Sequence, residues 1–358
     1  MKMIVSAGGT GGHIYPALAI INKFKEHEKD LEVLYIGTHN RMEKDIIPKK
    51  GIRYEDLEIY GFSKKDILRD IKNIGLIFKA KSKVKKIMED FKPDIVIGAG
   101  GYVTYPVISV ASKLGIKTFI HEQNSIPGKS NLALAKKCSL IGASFKDSIK
   151  YFNNQKNVFY SGNPCGENAI EIKHIKKEEL GFSSNKKLVI FVSGSLGSSA
   201  INNKVRDYLI NFDSDYEVLY ITGKSLYDNF VDGVKFHKNI KVLPFYDDLS
   251  ALLPSADLVV TRAGASTISE LLALNIPAIY IPSPYVANNH QYYNALSIKD
   301  SNAGEMIEEK DLTSDLIKQK IEDILNNNDK INIMKDNIKK IAVTNSSEII
   351  YQKIKNII

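Results

Sequence analysis

The segment Ser6-Ala7-Gly8-Gly9-Thr10-Gly11-Gly12-His13 follows the short apolar run Met3-Ile4-Val5 and leads into Pro16-Ala17-Leu18-Ala19-Ile20. A strand that ends in glycines and opens a helix leaves backbone N–H groups at the positive end of a helix dipole, where a diphosphate can rest. The chemistry this predicts is recognition of a nucleotide or a phosphorylated sugar. Counting on from Gly9 and Gly11, Ile14 stands where a dinucleotide fingerprint needs its third glycine. The second strand, Val33 to Ile36, ends in Gly37-Thr38 without a ribose-binding carboxylate. The two Gly-Lys-Ser tripeptides, 128–130 and 223–225, have Gln123 and Val218 in place of the leading glycine of a P-loop.

Strand and helix patterns alternate along the whole chain, the signature of parallel sheets covered on both faces. The apolar runs predict strands near 2–6, 32–37, 94–98, 116–121 and 139–142, and again at 188–192, 217–222, 240–243, 258–261 and 278–281. The pattern resets at Tyr160-Ser161-Gly162-Asn163-Pro164, and the polar stretch 167–185 reads as an interdomain linker. Three further glycine-rich turns end predicted strands: 98–102, 193–197 and 261–267. Open α/β sheets bind ligands at the carboxyl ends of their strands, so two such sheets are expected to enclose an interdomain cleft.

At 358 residues the chain has room for two sizeable cores. Cys138 and Cys165 show no metal-ligand spacing, which predicts reduced thiols in a cytoplasmic setting. No apolar stretch approaches the roughly 20 residues of a spanning helix, and no apolar leader precedes the first strand. The net charge of +8 does not point to nucleic acid, because the basic residues cluster with aliphatics and there is no Trp for base stacking.

Taken in order, Gly8-Gly9-Thr10-Gly11-Gly12-His13, Gly100-Gly101-Tyr102, His121-Glu122-Gln123-Asn124 with Asn131, Gly162-Asn163-Pro164, Gly194-Ser195, Gly264 to Glu270, Gln291 and Asn294 closely resemble the MurG family of bacterial peptidoglycan glycosyltransferases. The resemblance covers nearly the whole chain. It implies a GT-B fold of two Rossmann-like domains: 1–162 for acceptor and membrane, 163–342 for the UDP-sugar, and a helix at 343–358 packing back on the first. It implies transfer of N-acetylglucosamine from UDP-N-acetylglucosamine to the 4-hydroxyl of the N-acetylmuramoyl unit of undecaprenyl-linked lipid I, with inversion. Such a displacement needs a base for the acceptor hydroxyl and positive charge or dipoles for the departing diphosphate.

His13 is the candidate base and Glu122 its rival, with Thr10, Gly11 and Gly12 meeting bound groups, Asn124 bonding the sugar, and Tyr102 and Asn131 completing the site. In the second domain the resemblance implies that Ser195 contacts diphosphate or nucleotide, and that Ala265, Ser266 and Thr267 offer backbone N–H groups. It implies further that Glu270 accepts the ribose hydroxyls, that His290 and Gln291 face the donor sugar, and that Phe245 or Tyr246 lies against uracil. The chain departs from the family where an arginine commonly follows Gly-Asn-Pro by two residues, since Cys165-Gly166 stand here. Leu196 replaces a usual glutamine, and Ser193 a usual glycine. Arg262, Lys224 or a helix amino terminus is then left to offset the leaving group's charge. No cofactor is expected, and a divalent cation, if used, is not ligated by the protein: Asp213-Ser214-Asp215 lies before a strand, not at a strand's carboxyl end.

Between Ser63 and Lys92 there are ten basic residues against four acidic ones, interleaved with aliphatics. This predicts a peripheral site on the anionic cytoplasmic membrane face. The Ile67 and Ile71 face is expected to pack on the sheet, whereas the run Ile74 to Phe78 exceeds what one helix face buries and is expected to meet lipid. A UDP-N-acetylglucosamine 2-epimerase-like enzyme and a non-catalytic nucleotide-sugar-binding membrane protein are the alternatives.

Overall fold

The computed structural model describes residues 1–61, 67–153, 156–194 and 197–358, with the helical backbone alone for 67–69. The chain divides into two units, Met1–Cys165 with Asn345–Ile358, and Gly166–Thr344.

Among the described residues the first unit holds seven strands: β1 (Lys2–Ser6), β2 (Glu32–Thr38), β3 (Arg53–Leu57), β4 (Ile95–Gly98), β5 (Lys117–Glu122), β6 (Leu140–Ala143) and β7 (Val158–Tyr160). They pair in the order β3-β2-β1-β4-β5-β6-β7, every pair parallel. Strands buried on both faces read as near-continuous apolar runs, and β1 shows why: Ile4 packs with Leu34, Ile36 and Val96 on one face, Met3 and Val5 with Tyr35, Ile95 and Ile97 on the other. The edge strand β3, Arg-Tyr-Glu-Asp-Leu, escaped the sequence reading because it is covered incompletely and carries charge. The helix Ser346–Lys355 closes this unit. Its Ile350 and Ile354 are buried, and Tyr351 stacks on His27 with ring centroids 4.2 Å apart and donates to Glu28 at 2.9 Å.

The second unit holds β8 (Leu188–Val192), β9 (Glu217–Ile221), β10 (Ile240–Leu243), β11 (Leu258–Thr261), β12 (Ala278–Tyr280) and β13 (Glu305–Met306), in the order β10-β9-β8-β11-β12-β13 and again parallel. The two-residue β13 is too short to leave a periodic signal. The stretch 167–185, read above as a linker, is folded onto this unit. Its Ile175 N–H donates to Ala251 O at 2.8 Å, and Ser255 Oγ donates to Ile175 O at 2.8 Å.

In each sheet the chain builds outward in one direction and then returns to build the other way. The reversal falls between β1 and β4 in the first unit and between β8 and β11 in the second. Helices leave in opposite directions at such a point, so the strand ends there are not covered, and ligands bind in the crevice. Register makes these ends level: Ser6 pairs with Ile36 and Gly98, and Thr261 with Val192 and Tyr280. Among the described residues no helix is long and apolar enough to cross a membrane.

Candidate functional site

At the first reversal the loop after β1 is packed backbone to backbone against the turn after β4. A Cβ on Gly101 would stand 2.4 Å from Gly8 O, and one on Gly100 would stand 2.5 Å from the His13 ring. Gly100 and Gly101 also hold φ of +100° and +86°, a region that costs any residue with a Cβ. Glycine is required here because two turns and an imidazole share the space of one. The helix Gly11–His27 then begins without a side-chain cap from Thr10 and without an acidic residue in its first turn. No acid in the helix's own first turn counters its positive end; the carboxyl of Glu43 accepts from the Gly9 N–H, just before the helix, at 3.1 Å. His13 Nδ1 lies 2.9 Å from Gly8 O and 3.5 Å from Thr10 Oγ1. A carbonyl can only accept, so Nδ1 carries the proton and the neutral ring has its basic lone pair on Nε2.

The His-Glu-Gln-Asn segment at the end of β5 is a buried network. Glu122 accepts from the N–H of Asn124 at 2.9 Å, the N–H of Gly128 at 2.9 Å and Asn131 Nδ2 at 2.8 Å. Burial pushes its carboxyl above the usual range, and these hydrogen bonds pull it partly back. His121 is pushed down to about 4 by burial, so it is neutral, donating from Nε2 to Gly162 O at 3.0 Å and accepting on Nδ1 from Gln123 at 3.1 Å. Gln123 also donates to Ala99 O at 2.9 Å, which ties the end of β5 to the end of β4. Glu122, Asn124 and Asn131 are thus brought together, with Glu122 shaping the loop 122–131. Tyr102 follows the Gly100-Gly101 turn and packs beside the first unit's core.

At the second reversal the helix Ala265–Ala273 begins at Gly264 with no side-chain cap and no acidic residue in its first turn, and Ser266 Oγ is buried without a hydrogen-bond partner among the described residues. One turn on, loss of solvent around its carboxyl pushes Glu270 up to about 7, offset in part by a hydrogen bond from Ser250. Ser250 belongs to the helix Leu249–Leu252, four residues after Tyr246 in the chain. Lys224 Nζ lies 4.4 Å from the Phe245 ring centroid. Asn294 Nδ2 donates to Ala263 O at 3.2 Å, holding the helix His290–Asp300 to the same turn. Gln291 accepts from the Ser283 N–H at 2.9 Å, and His290 donates from Nδ1 to Ala287 O at 2.8 Å. Ser195 and Leu196 lie outside the described residues.

Arg262 does not stand ready for a diphosphate. Its guanidinium, 12% exposed, is paired with Glu309, 8% exposed, and donates to Ser198 Oγ at 2.8 Å and Ile281 O at 3.1 Å. It joins the turns after β8, β11 and β12, and its charge is met in place. Gly166 explains why no arginine follows Gly-Asn-Pro: a Cβ there would stand 2.8 Å from Ser269 O and 3.1 Å from Ala273 Cβ. Among the described residues no cluster of three or more His, Cys, Asp or Glu side chains could hold a metal.

The glycosyltransferase family 28 N-terminal domain matches residues 3–142 and the family 28 C-terminal domain residues 188–350. Over the full length of both chains this protein is 39% identical to the UDP-N-acetylglucosamine--N-acetylmuramyl-(pentapeptide) pyrophosphoryl-undecaprenol N-acetylglucosamine transferase of Caldanaerobacter subterraneus subsp. tengcongensis. The crystal structure of Acinetobacter baumannii MurG matches with a TM-score of 0.81 at 25% identity, over 99% of each chain. The chain belongs to the MurG family of glycosyltransferases. Its two parallel-sheet units have the GT-B architecture. A Bacillus cereus enzyme of the same transferase name, numbered 1, is 40% identical over 98% of each chain. The Neisseria meningitidis UDP-GlcNAc 2-epimerase bound to UDP-GlcNAc shares the fold, with a TM-score of 0.69 at 13% identity over 99% of this chain and all of that one. Two residues of this MurG-family chain were missed by sequence reasoning, Glu43 and Glu309. Both are buried acids with a partner on a turn far away in the chain, Gly9 for Glu43 and Arg262 for Glu309, and by local pattern each reads as an ordinary charged residue near a helix or loop.

Proposed function

We propose that this glycosyltransferase moves N-acetylglucosamine from UDP-N-acetylglucosamine to the 4-hydroxyl of the N-acetylmuramoyl unit of undecaprenyl-linked lipid I, forming lipid II with inversion. The observation that carries this is the full-length identity of about two residues in five to chains named for that transfer. In the mechanism we propose, His13 Nε2 takes the proton of the acceptor hydroxyl, its Nδ1–H held by Gly8 O. Thr10, Gly11, Gly12, Tyr102, Asn124 and Asn131 line the acceptor side, with Glu122 holding the loop that carries the last two. In the second unit Glu270 accepts the ribose hydroxyls and Phe245 or Tyr246 meets uracil. Ser195, Ser266, Thr267 and the N–H groups from Ala265 meet the diphosphate, while His290 and Gln291 face the sugar. With Arg262 paired to Glu309, the helix dipole at Ala265 and Lys224 offset the leaving charge.

Membrane attachment through the helix Ile67–Phe91 completes the proposal. Ile71, Ile74 and Phe78 are 61%, 48% and 70% exposed and recur at helical spacing, so they form one stripe. Ile71, expected against the sheet, joins this stripe because Asn73, Ala80, Val84 and Met88 occupy the inward face. Lys72, Lys79 and Lys86 are exposed on the same helix. Lys83 is held by Glu55 and Asp56, and Lys81 lies over the Tyr105 ring. Lys64 and Lys65 lie outside the described residues, as do the side chains of Ile67, expected against the sheet with Ile71, and of Arg69. Such a face suits the anionic cytoplasmic leaflet, where the acceptor lipid resides.

The test is incubation with UDP-N-acetylglucosamine, with and without a lipid I analogue. Acceptor-dependent UDP release and a disaccharide product support the reading. Formation of N-acetylmannosamine without acceptor would establish an epimerase instead, and binding without turnover a sensor.

A further inference from the structure

The geometry points to Glu43 as a positioning residue for the loop that carries His13. It rests on the proposal that His13 is the base, which its test also examines separately. Glu43 begins the helix Glu43–Lys49 after β2, where an acid is ordinarily solvent-exposed, yet it is fully buried. One carboxyl oxygen accepts from the Thr38 N–H at 3.0 Å and the Thr38 hydroxyl at 2.6 Å, and the other accepts from the Gly9 N–H at 3.1 Å. The side chain therefore bridges the carboxyl end of β2 to the glycine loop after β1.

Two glycines make room for it. A Cβ on Gly8 would stand 2.4 Å from Glu43 Oε1, and one on Gly37 would stand 2.8 Å from Glu43 Cγ. Gly9 holds a φ of +94°, which frees its N–H to point at the carboxyl. Gly8, beside it, uses its carbonyl to take the Nδ1 proton of His13. The chain of contacts runs from Glu43 through the Gly8-Gly9 peptide to His13, and each link has one donor and one acceptor. With Gly9 held, Gly8 O has one direction in which to accept, and the imidazole keeps the tautomer with its lone pair on Nε2. A buried carboxyl without such partners would be costly, so this one is retained for what it holds.

The experiment uses the full-length protein labelled with ¹⁵N-histidine, with His13→Ala identifying the His13 signals. In the unsubstituted enzyme the His13 nitrogens are expected to report the Nδ1–H tautomer alone. Glu43→Gln sets an amide N–H₂ against either the Gly9 N–H or the Thr38 donors, so a mixture of tautomers is expected. Turnover should fall by about tenfold to a hundredfold with the KM for UDP-N-acetylglucosamine unchanged, because the loop is misplaced by a fraction of an ångström while the second unit is untouched. A purely structural role would lower folding and all kinetic constants together. If Glu43→Gln does not fold, Thr38→Val removes the 2.6 Å hydroxyl contact alone and takes the same measurements. An unaltered His13 tautomer in the variant overturns the inference whatever the turnover. A mixed tautomer with undiminished turnover supports Glu43 as the positioning group and overturns His13 as the base.

Discussion

His13 and Glu122 both suggest a base by residue type, and their surroundings separate them. Glu122 is buried and its oxygens accept from two backbone N–H groups and Asn131. Glu122→Ala would leave these donors unpaired at about 1–3 kcal/mol each, so both the melting temperature and turnover should drop. His13→Ala loses one hydrogen bond at a loop junction. Turnover should fall by about a hundredfold or more, with donor affinity and melting temperature nearly unchanged; normal turnover in this variant would remove His13 from the mechanism. Glu270 carries a pH prediction. Its pKa is pushed up to about 7, and in our proposal the ribose hydroxyls are accepted by the ionised form, which offers both oxygens. Donor affinity is then full above pH 7 and lost as pH falls, with the dissociation constant rising about tenfold per unit well below it. Calorimetry on Glu270→Gln should show weak binding with this slope abolished, and a persisting slope would assign it to another group.

The elements place these side chains through register and through what covers the strand ends. The helix Ala265–Ala273 illustrates how closely neighbouring segments constrain one another. Gly166 lies against its Ser269 carbonyl, so Gly166→Arg would not restore the arginine that relatives commonly carry. It should overpack the contact, destabilise by about 1–3 kcal/mol, and leave UDP affinity no better. Thermal denaturation and UDP titration together check this, and tighter binding without loss of stability would show that the helix can move aside. Legibility in the sequence followed burial. Central strands such as β1 and β8 are apolar at every inner position and were read directly, whereas β3, a charged edge strand, and β13, two residues long, were not. The glycine turns were legible because their backbone conformations admit few other residues. The acids that hold those turns, Glu43 and Glu309, were not, because nothing in their local pattern marks an acid as buried.

For the molecule as a whole, an enzyme that spends its catalytic cycle beside a lipid acceptor gains from being held at the surface. The exposed stripe Ile71, Ile74 and Phe78 with the neighbouring lysines provides that attachment in our proposal. Phe78→Glu replaces an inserted ring with a charge repelled by anionic lipid. Partition onto vesicles containing anionic lipid should fall by about tenfold or more, given about 1.5–3 kcal/mol for burying such a side chain. Turnover of a water-soluble acceptor analogue should be unaffected, and sedimentation with vesicles at undiminished levels would place the attachment elsewhere. Residue order by itself determined the parallel-sheet class, the two-sheet plan, the glycine turns at strand ends and the family, because each is written in short-range spacing and in uninterrupted apolar runs. Only tertiary structure decided that Arg262 is already paired, that Gly166 has no space for a side chain, that Ile71 faces outward, and that Glu43 grips a loop 34 residues away. The physical reason is that side chains pack and pair wherever the fold brings them together, and the groups they meet need not be neighbours in the chain.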